Sequence, residues 1–131
     1  MYPRNVMRSR TIGALIVDDE EDIRALMRVL IDTADEGLFV CGEAVDGHEG
    51  LDLVDELEPA VIVLDQRMPG IDGMETARRI RKKRPHQKMI LCSAYLDDDG
   101  CAEAAALGIE ACLPKAEVTR LPDVLREVVA S

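Results

Sequence analysis

Aromatic side chains are nearly missing from this chain of 131 residues, which has no tryptophan, one phenylalanine and two tyrosines. A core must then be filled by Val, Leu, Ile, Ala and Met, and the 47% hydrophobic content supplies them. Excess positive charge is missing too. Lys+Arg total 16 against Asp+Glu 26, a formal net charge of −10. Sequence-independent DNA binding needs a basic face, so that class is disfavoured and cationic partners are expected. No apolar run approaches the roughly 20 residues of a membrane helix, so no membrane partner is expected. The stretch MYPRNVMRSR carries three arginines and no apolar core. It reads as an N-terminal extension over 1–10 rather than a signal peptide.

The four cysteines, Cys41, Cys92, Cys101 and Cys112, contain no C-x-x-C pair. That removes the commonest zinc pattern and predicts reduced, mostly buried thiols in a cytoplasmic protein. Neither G-x-G-x-x-G nor G-x-x-x-x-G-K-[ST] occurs, so dinucleotide and P-loop sites have no support. His48 and His86 sit in polar segments and receive no role.

What is present is a regular alternation. TIGALIVDD, LFVCGEAV, AVIVLD, KMILCSAY and IEACLPK read as strands. Between and after them, EDIRALMRVLIDTA, DGHEGLDLVDELEP, DGMETARRIRKKRP, DDDGCAEAAALG and LPDVLREVVAS read as helices, the fourth weak and stopped at Gly108. Strands alternating with helices of this length predict a parallel sheet with right-handed crossovers. VIVL is apolar throughout, as suits a strand buried on both faces. The length is that of one domain, and the expected fold is a doubly wound α/β domain with about five helices.

One detail of this pattern calls for chemistry. VIVL runs straight into Asp65, and a charge beside a buried strand is costly unless compensated. In such sheets ligands bind outside the carboxyl ends of the strands. Asp18, Asp19 and Glu20 follow the first strand, Asp65 the third, Ser93 the fourth and Lys115 the fifth. Two carboxylates about 4 Å apart repel by about 4 kcal/mol at an effective dielectric of 20. Such a cluster raises its pKa values or binds a cation, and hard oxygen donors favour Mg²⁺. A carboxylate can also act as a nucleophile and carry a phosphoryl group. Each residue alone has a plainer reading: Asp18, Asp19 and Glu20 suit a helix N-terminus equally well, and Asp65 could cap a loop. Their joint placement at four strand ends favours phosphoryl chemistry. A phosphatase of the haloacid-dehalogenase type would need a second acid two residues after Asp65, where Arg67 stands.

VDDEED, VIVLDQRMPGIDG, LCSAY and LPK together resemble the motifs of the receiver domain of bacterial two-component response regulators, in the family's order. FVCGEAVDGHEGLDLV and RMPGIDGMETARRIR are most similar to the NarL/FixJ subfamily. The resemblance covers 11–131. It implies a flavodoxin-like, CheY-like sheet of five parallel strands in the order 2-1-3-4-5. It implies phosphorylation of Asp65 by a sensor histidine kinase or phosphotransfer protein. Asp19 would ligate Mg²⁺ directly, Asp18 through water, and Asp65 and the backbone carbonyl of Arg67 would complete the metal site. Ser93 and Lys115 would hold the phosphoryl oxygens. The protein would not be an enzyme beyond gaining and losing its own phosphoryl group, and it could form a homodimer on phosphorylation.

Two positions depart from the family. Cys112 stands where a Tyr or Phe usually reports the switch, and Ala116 where a proline often follows the lysine. Tyr95 is the nearest aromatic that could replace the reporter. No DNA-reading element is evident, so the chain is expected to be a stand-alone receiver or the receiver piece of a longer regulator. A rival reading is a receiver-like scaffold that binds partners without phosphorylation.

Overall fold

A computed structural model describes residues 11–34 and 36–131; the expected 1–10 extension lies outside the described residues. Five strands alternate with five helices: β1 (Ile12–Val17), α1 (Glu21–Ala34), β2 (Leu38–Ala44), α2 (Gly47–Leu57), β3 (Val61–Leu64), α3 (Gly73–Lys83), β4 (Lys88–Ser93), α4 (Asp98–Ala106), β5 (Ala111–Pro114) and α5 (Leu121–Ala130). A 3₁₀ segment, Lys115–Arg120, joins β5 to α5. The strands form one sheet in the order β2-β1-β3-β4-β5, and every pairing is parallel. The order and alternation match the sequence expectation.

The side-chain period of two sorts the central strands onto two cores. Val61 and Val63 of β3 pack with Met27 and Ile31 of α1 and Leu121, Leu125 and Val128 of α5. Ile62 and Leu64 pack with Val54 of α2, Met74, Ala77 and Ile80 of α3, and Ala104 of α4. All four β3 residues are buried, which is why that strand reads as an uninterrupted apolar run. Burying a Val, Leu or Ile side chain stabilises by about 1.5–3 kcal/mol, so β3 is the best anchored place on which to mount a charge.

Helix starts are chemically marked. Asp46, Asp72 and Asp97 each accept a hydrogen bond from the backbone N–H three residues on, at 2.8, 2.9 and 2.7 Å. These are N-caps, each worth about 1 kcal/mol. The last turn of α3 carries Arg81, Lys82 and Lys83, which complement the negative end of the helix dipole.

Candidate functional site

The site is built from backbone continuation at the carboxyl edge of the sheet. The ladder runs one residue past β1 and β3. Asp18 N–H donates to Ala44 O and Asp65 N–H to Val17 O, both at 3.0 Å. Those bonds fix both aspartates at adjacent strand ends and leave their carboxyls to face each other. Asp18, Asp65 and Ser93 are all buried, at 1%, 4% and 1% exposure. Asp19 is exposed. One carboxylate oxygen from each of Asp18, Asp19 and Asp65 lies within 4.8 Å of the others. At that spacing each charged pair repels by about 3.5 kcal/mol at an effective dielectric of 20.

Lys115 answers part of that repulsion. Its ammonium lies 2.8 Å from Glu20 Oε1, 2.9 Å from Asp18 Oδ2 and 3.1 Å from Asp65 Oδ2. It donates hydrogen bonds to Glu20 and Asp65. Asp18 Oδ2 is at ion-pair distance but outside a good donor direction, and among the described residues it is left buried without a hydrogen-bond partner. Burial opposes charge on Lys115, but Glu20, Asp18 and Asp65 together outweigh it and hold its pKa above the ordinary value. Burial is also the main cause that raises the Asp18 pKa, and the Asp65 charge adds to it. The Glu20 N–H and Lys115 pull the other way.

Three carboxylates thus contact one ammonium, and Asp19 lies beside Asp18 and Asp65. The orphaned Asp18 oxygen and the hard-oxygen donor set fit a small divalent cation.

The loops around this cluster are held tightly. Arg24 on α1 donates to Asp18 O at 2.8 Å and pairs with Glu43 of β2 at 3.1 Å, pinning the β1–α1 loop. After Asp65, Gly70 takes φ +83, a conformation that favours glycine. Gly73 passes so close to Asp65 that an added Cβ would lie 2.3 Å from the Asp65 carbonyl oxygen. Gln66 bridges back, accepting from Met74 N–H at 2.9 Å and donating to Asp72 at 3.3 Å. The PGIDG stretch is therefore a packed clamp on the Asp65 loop.

The opposite lip is looser. Ser93 Oγ accepts a long 3.4 Å bond from Tyr95 N–H, and among the described residues its hydroxyl proton has no acceptor. Tyr95 is 70% exposed. The Arg67 guanidinium lies over it, 4.7 Å from the ring centre. Under that pair runs a cleft of about 470 Å³ between the Asp65 loop and α4, lined by Met68, Asp72, Leu91, Leu96 and Gly100 among others.

Asp18, Asp19, Asp65 and Lys115 therefore come together as the strand ends suggest, and Ser93 closes β4 beside them. Arg67 and Tyr95 form the outer rim, and Cys112 lies inside β5 on the α4 side of the sheet. Glu20 as a partner of Lys115 and Arg24 as the loop's anchor were not foreseen. Their signals were weak: an acid next to two others, and one arginine a helical turn later. His48 and His86 are exposed, and His48 lies beside Gly70 in the loop after Asp65.

Comparison with known proteins agrees with this geometry. The family described as response regulator receiver domain matches residues 14–126. The transcriptional regulatory protein LiaR of Bacillus subtilis is 38% identical over 88 residues, 67% of this chain and 41% of that protein. The nitrate/nitrite response regulator NarL of Escherichia coli is 32% identical over 101 residues, 77% of this chain and 46% of that protein. The chain thus spans less than half the length of these curated relatives. The response regulator domain of Thermotoga maritima CheB superposes with a TM-score of 0.84 at 28% identity, covering 93% of this chain and 98% of that one. The receiver domain of a putative response regulator NarL from Mycobacterium tuberculosis gives 0.86 at 25%, also covering 93% and 98%.

Proposed function

This chain belongs to the response regulator receiver domain family, and we propose that Asp65 is its phosphoacceptor, served by Ser93, Lys115 and an Mg²⁺ site on Asp18, Asp19 and Asp65. The observation that carries the reading is the contact of Lys115 with both Asp18 and Asp65 at one buried strand edge. Receiver domains of response regulators are phosphorylated by histidine kinases and bind Mg²⁺ at an acidic cluster.

An Asp65 carboxylate oxygen attacks phosphorus on a phosphohistidine. The phosphorus–nitrogen bond breaks, and the imidazole leaves with its electron pair and takes a proton. Asp65 then carries an acyl phosphate. Lys115 is already at 3.1 Å from Asp65. It needs only to exchange Glu20 and Asp18 for phosphoryl oxygens. The free Ser93 hydroxyl turns to donate to the same group. Asp18, Asp19, Asp65 and the Arg67 carbonyl would hold the Mg²⁺, which when bound would neutralise charge on the transferred phosphoryl group. The Arg67–Tyr95 pair joins the loop after Asp65 to the loop after Ser93, and in this reading Tyr95 would register the new charge in place of an aromatic at Cys112.

The chain is in this reading a switch in the cytoplasm, with 11–131 as the receiver and 1–10 an extension, and not an enzyme beyond its own phosphoryl turnover. Its donor is a histidine kinase or phosphotransfer protein, and a homodimer on phosphorylation is one route to output. No helix among the described residues is long and apolar enough to cross a membrane. The test is acetyl phosphate or a phosphorylated donor with Mg²⁺, read by intact mass. The wild type should gain one phosphoryl group, labile to base, and Asp65→Asn none. A wild type that stays unmodified while folded and Mg²⁺-loaded would favour the scaffold reading.

A further inference from the structure

Cys112 and Cys101 are brought together by two independent packing facts. Along β5, Cys112 lies with the core under α2, α3 and α4, and Leu113 with the opposite core. On α4, Cys101 lies three residues before Ala104, the one buried residue of that helix. Positions i and i+3 share a helix face, so Cys101 looks toward β5 with Ala104. Both thiols therefore face the seam between α4 and β5 from its two sides, and both are half-buried. The other cysteines are elsewhere: Cys92 is fully buried in the opposite core, and Cys41 is on β2 at the far edge of the sheet.

The first turn of α4 has little else to hold it. Arg81 from α3 donates to Leu107 O and Gly108 O, at 3.1 and 2.9 Å, and Arg78 pairs with Glu103 at 3.0 Å. These bonds tie the later part of the helix. The start has the Asp97 cap and the side of Cys101 turned toward β5.

We propose that Cys101 and Cys112 form a redox modification site, a dithiol that a peroxide converts into an intramolecular disulfide joining the first turn of α4 to β5. Burial, reinforced by the neighbouring thiol, pushes the Cys112 thiol up to about 12 and makes it a poor first nucleophile; the first oxidation is assigned to Cys101. Its sulfur attacks one peroxide oxygen, the O–O bond breaks, and one water leaves with the thiol proton. Cys112 sulfur then attacks the resulting sulfenic acid, the S–O bond breaks and a second water leaves. Two thiols lose two electrons and one peroxide gains them. The bond closes a short loop and should slow opening of α4 by on the order of tenfold or more. This site does not depend on the chemistry at Asp65.

The experiment treats the folded 131-residue chain with hydrogen peroxide, blocks free thiols under denaturing conditions and maps peptides. The expected product is a Cys101–Cys112 crosslinked peptide, two hydrogens lighter and reversed by dithiothreitol, with Cys41 and Cys92 recovered as alkylated thiols. Cys112→Ser should lose the crosslink and accumulate a dimedone-reactive Cys101. If that variant does not fold, Cys101→Ser serves, and it should leave Cys112 unoxidised at the same dose. Recovery of Cys101 and Cys112 as separate thiols or sulfinic acids, or a bond between any other pair, overturns the site. Unchanged hydrogen exchange over 98–106 in the oxidised chain overturns its mechanical effect.

Discussion

Helices α3 and α4 begin in the same way and are held in very different ways. Each opens on an aspartate cap, Asp72 or Asp97, with bonds of 2.9 and 2.7 Å to the N–H three residues on. From there they diverge. Helix α3 buries Met74, Thr76, Ala77 and Ile80, whereas α4 buries only Ala104. Helix α3 also exports order: Arg81 reaches out to four carbonyls, those of Pro85, Gln87, Leu107 and Gly108. The candidate site lies between a fixed wall and a loose one. The clamp Gln66–Asp72–Gly73 belongs to the fixed wall and holds the phosphoacceptor candidate. Ser93, Tyr95 and α4 form the loose one. Capping starts a helix, but only burial makes it part of the cooperative unit.

Core truncation should expose this difference most strongly. Ile80→Ala in α3 should cost about 2–5 kcal/mol of global stability, read as a lower urea midpoint with an unchanged slope. Ala104→Gly in α4 should cost about 1 kcal/mol of helix propensity. Most of that should appear as faster hydrogen exchange over 98–106 with a nearly unmoved midpoint. If both substitutions lower the midpoint alike, α4 is as integral as α3 and the contrast fails.

Metal binding should sharpen the comparison from the other side. At 100 times its dissociation constant, Mg²⁺ should stabilise the folded chain by about 2.7 kcal/mol. Protection should rise in the β1–α1 loop and the loop after Asp65, and not in α4. Asp19→Ala should remove most of the gain while raising metal-free stability slightly, because a repulsive charge is gone. A pH signature follows from Asp18, whose pKa is raised above its ordinary 3.8, chiefly by burial. Above 3.8 the folded chain holds this proton longer than the unfolded chain. The Asp18 contribution to metal-free stability should therefore fall as pH climbs from there through the raised value. Urea titrations of the wild type and Asp18→Asn across that window check it; a wild-type-minus-variant difference that rises with pH instead contradicts the burial of Asp18. Thermal melts indifferent to millimolar Mg²⁺ would reduce the acidic cluster to a helix start.

How much of this was legible beforehand depends on the range of the interaction. The alternation of apolar patterns displayed the five strands and five helices, because periods of two and 3.6 residues are local properties. Asp18, Asp65, Ser93 and Lys115 were legible because each breaks an apolar strand at its carboxyl end. The 3₁₀ segment at Lys115–Arg120 was not, since KAEVTR carries no apolar period. Nor was the reach of Arg24 and Arg81. A long side chain leaves no mark in sequence of which carbonyl it will find. The approach of Cys101 to Cys112 was hidden for a similar reason. It depends on the angle at which α4 crosses β5, and no local pattern encodes that angle.

The caps provide the finest test, because they are the one thing the two helices share. Removing an N-cap costs about 1 kcal/mol wherever it is, if the helix and the fold melt together. Asp72→Ala should therefore lower the urea midpoint by that amount. It should also loosen the Asp65 loop, because Gln66 loses its 3.3 Å partner. Asp97→Ala removes a cap of equal geometry from a helix that opens on its own. The native state then keeps most of its global stability, and the loss is confined to the local opening equilibrium. About 1 kcal/mol corresponds to roughly fivefold faster exchange over 98–106, with a midpoint shift too small to resolve. The order of the two results matters more than their size. If Asp97→Ala moves the midpoint as far as Asp72→Ala does, the first turn of α4 belongs to the cooperative core. An element of that kind could not respond alone to a phosphoryl group at Asp65, and the response would have to pass through the whole sheet.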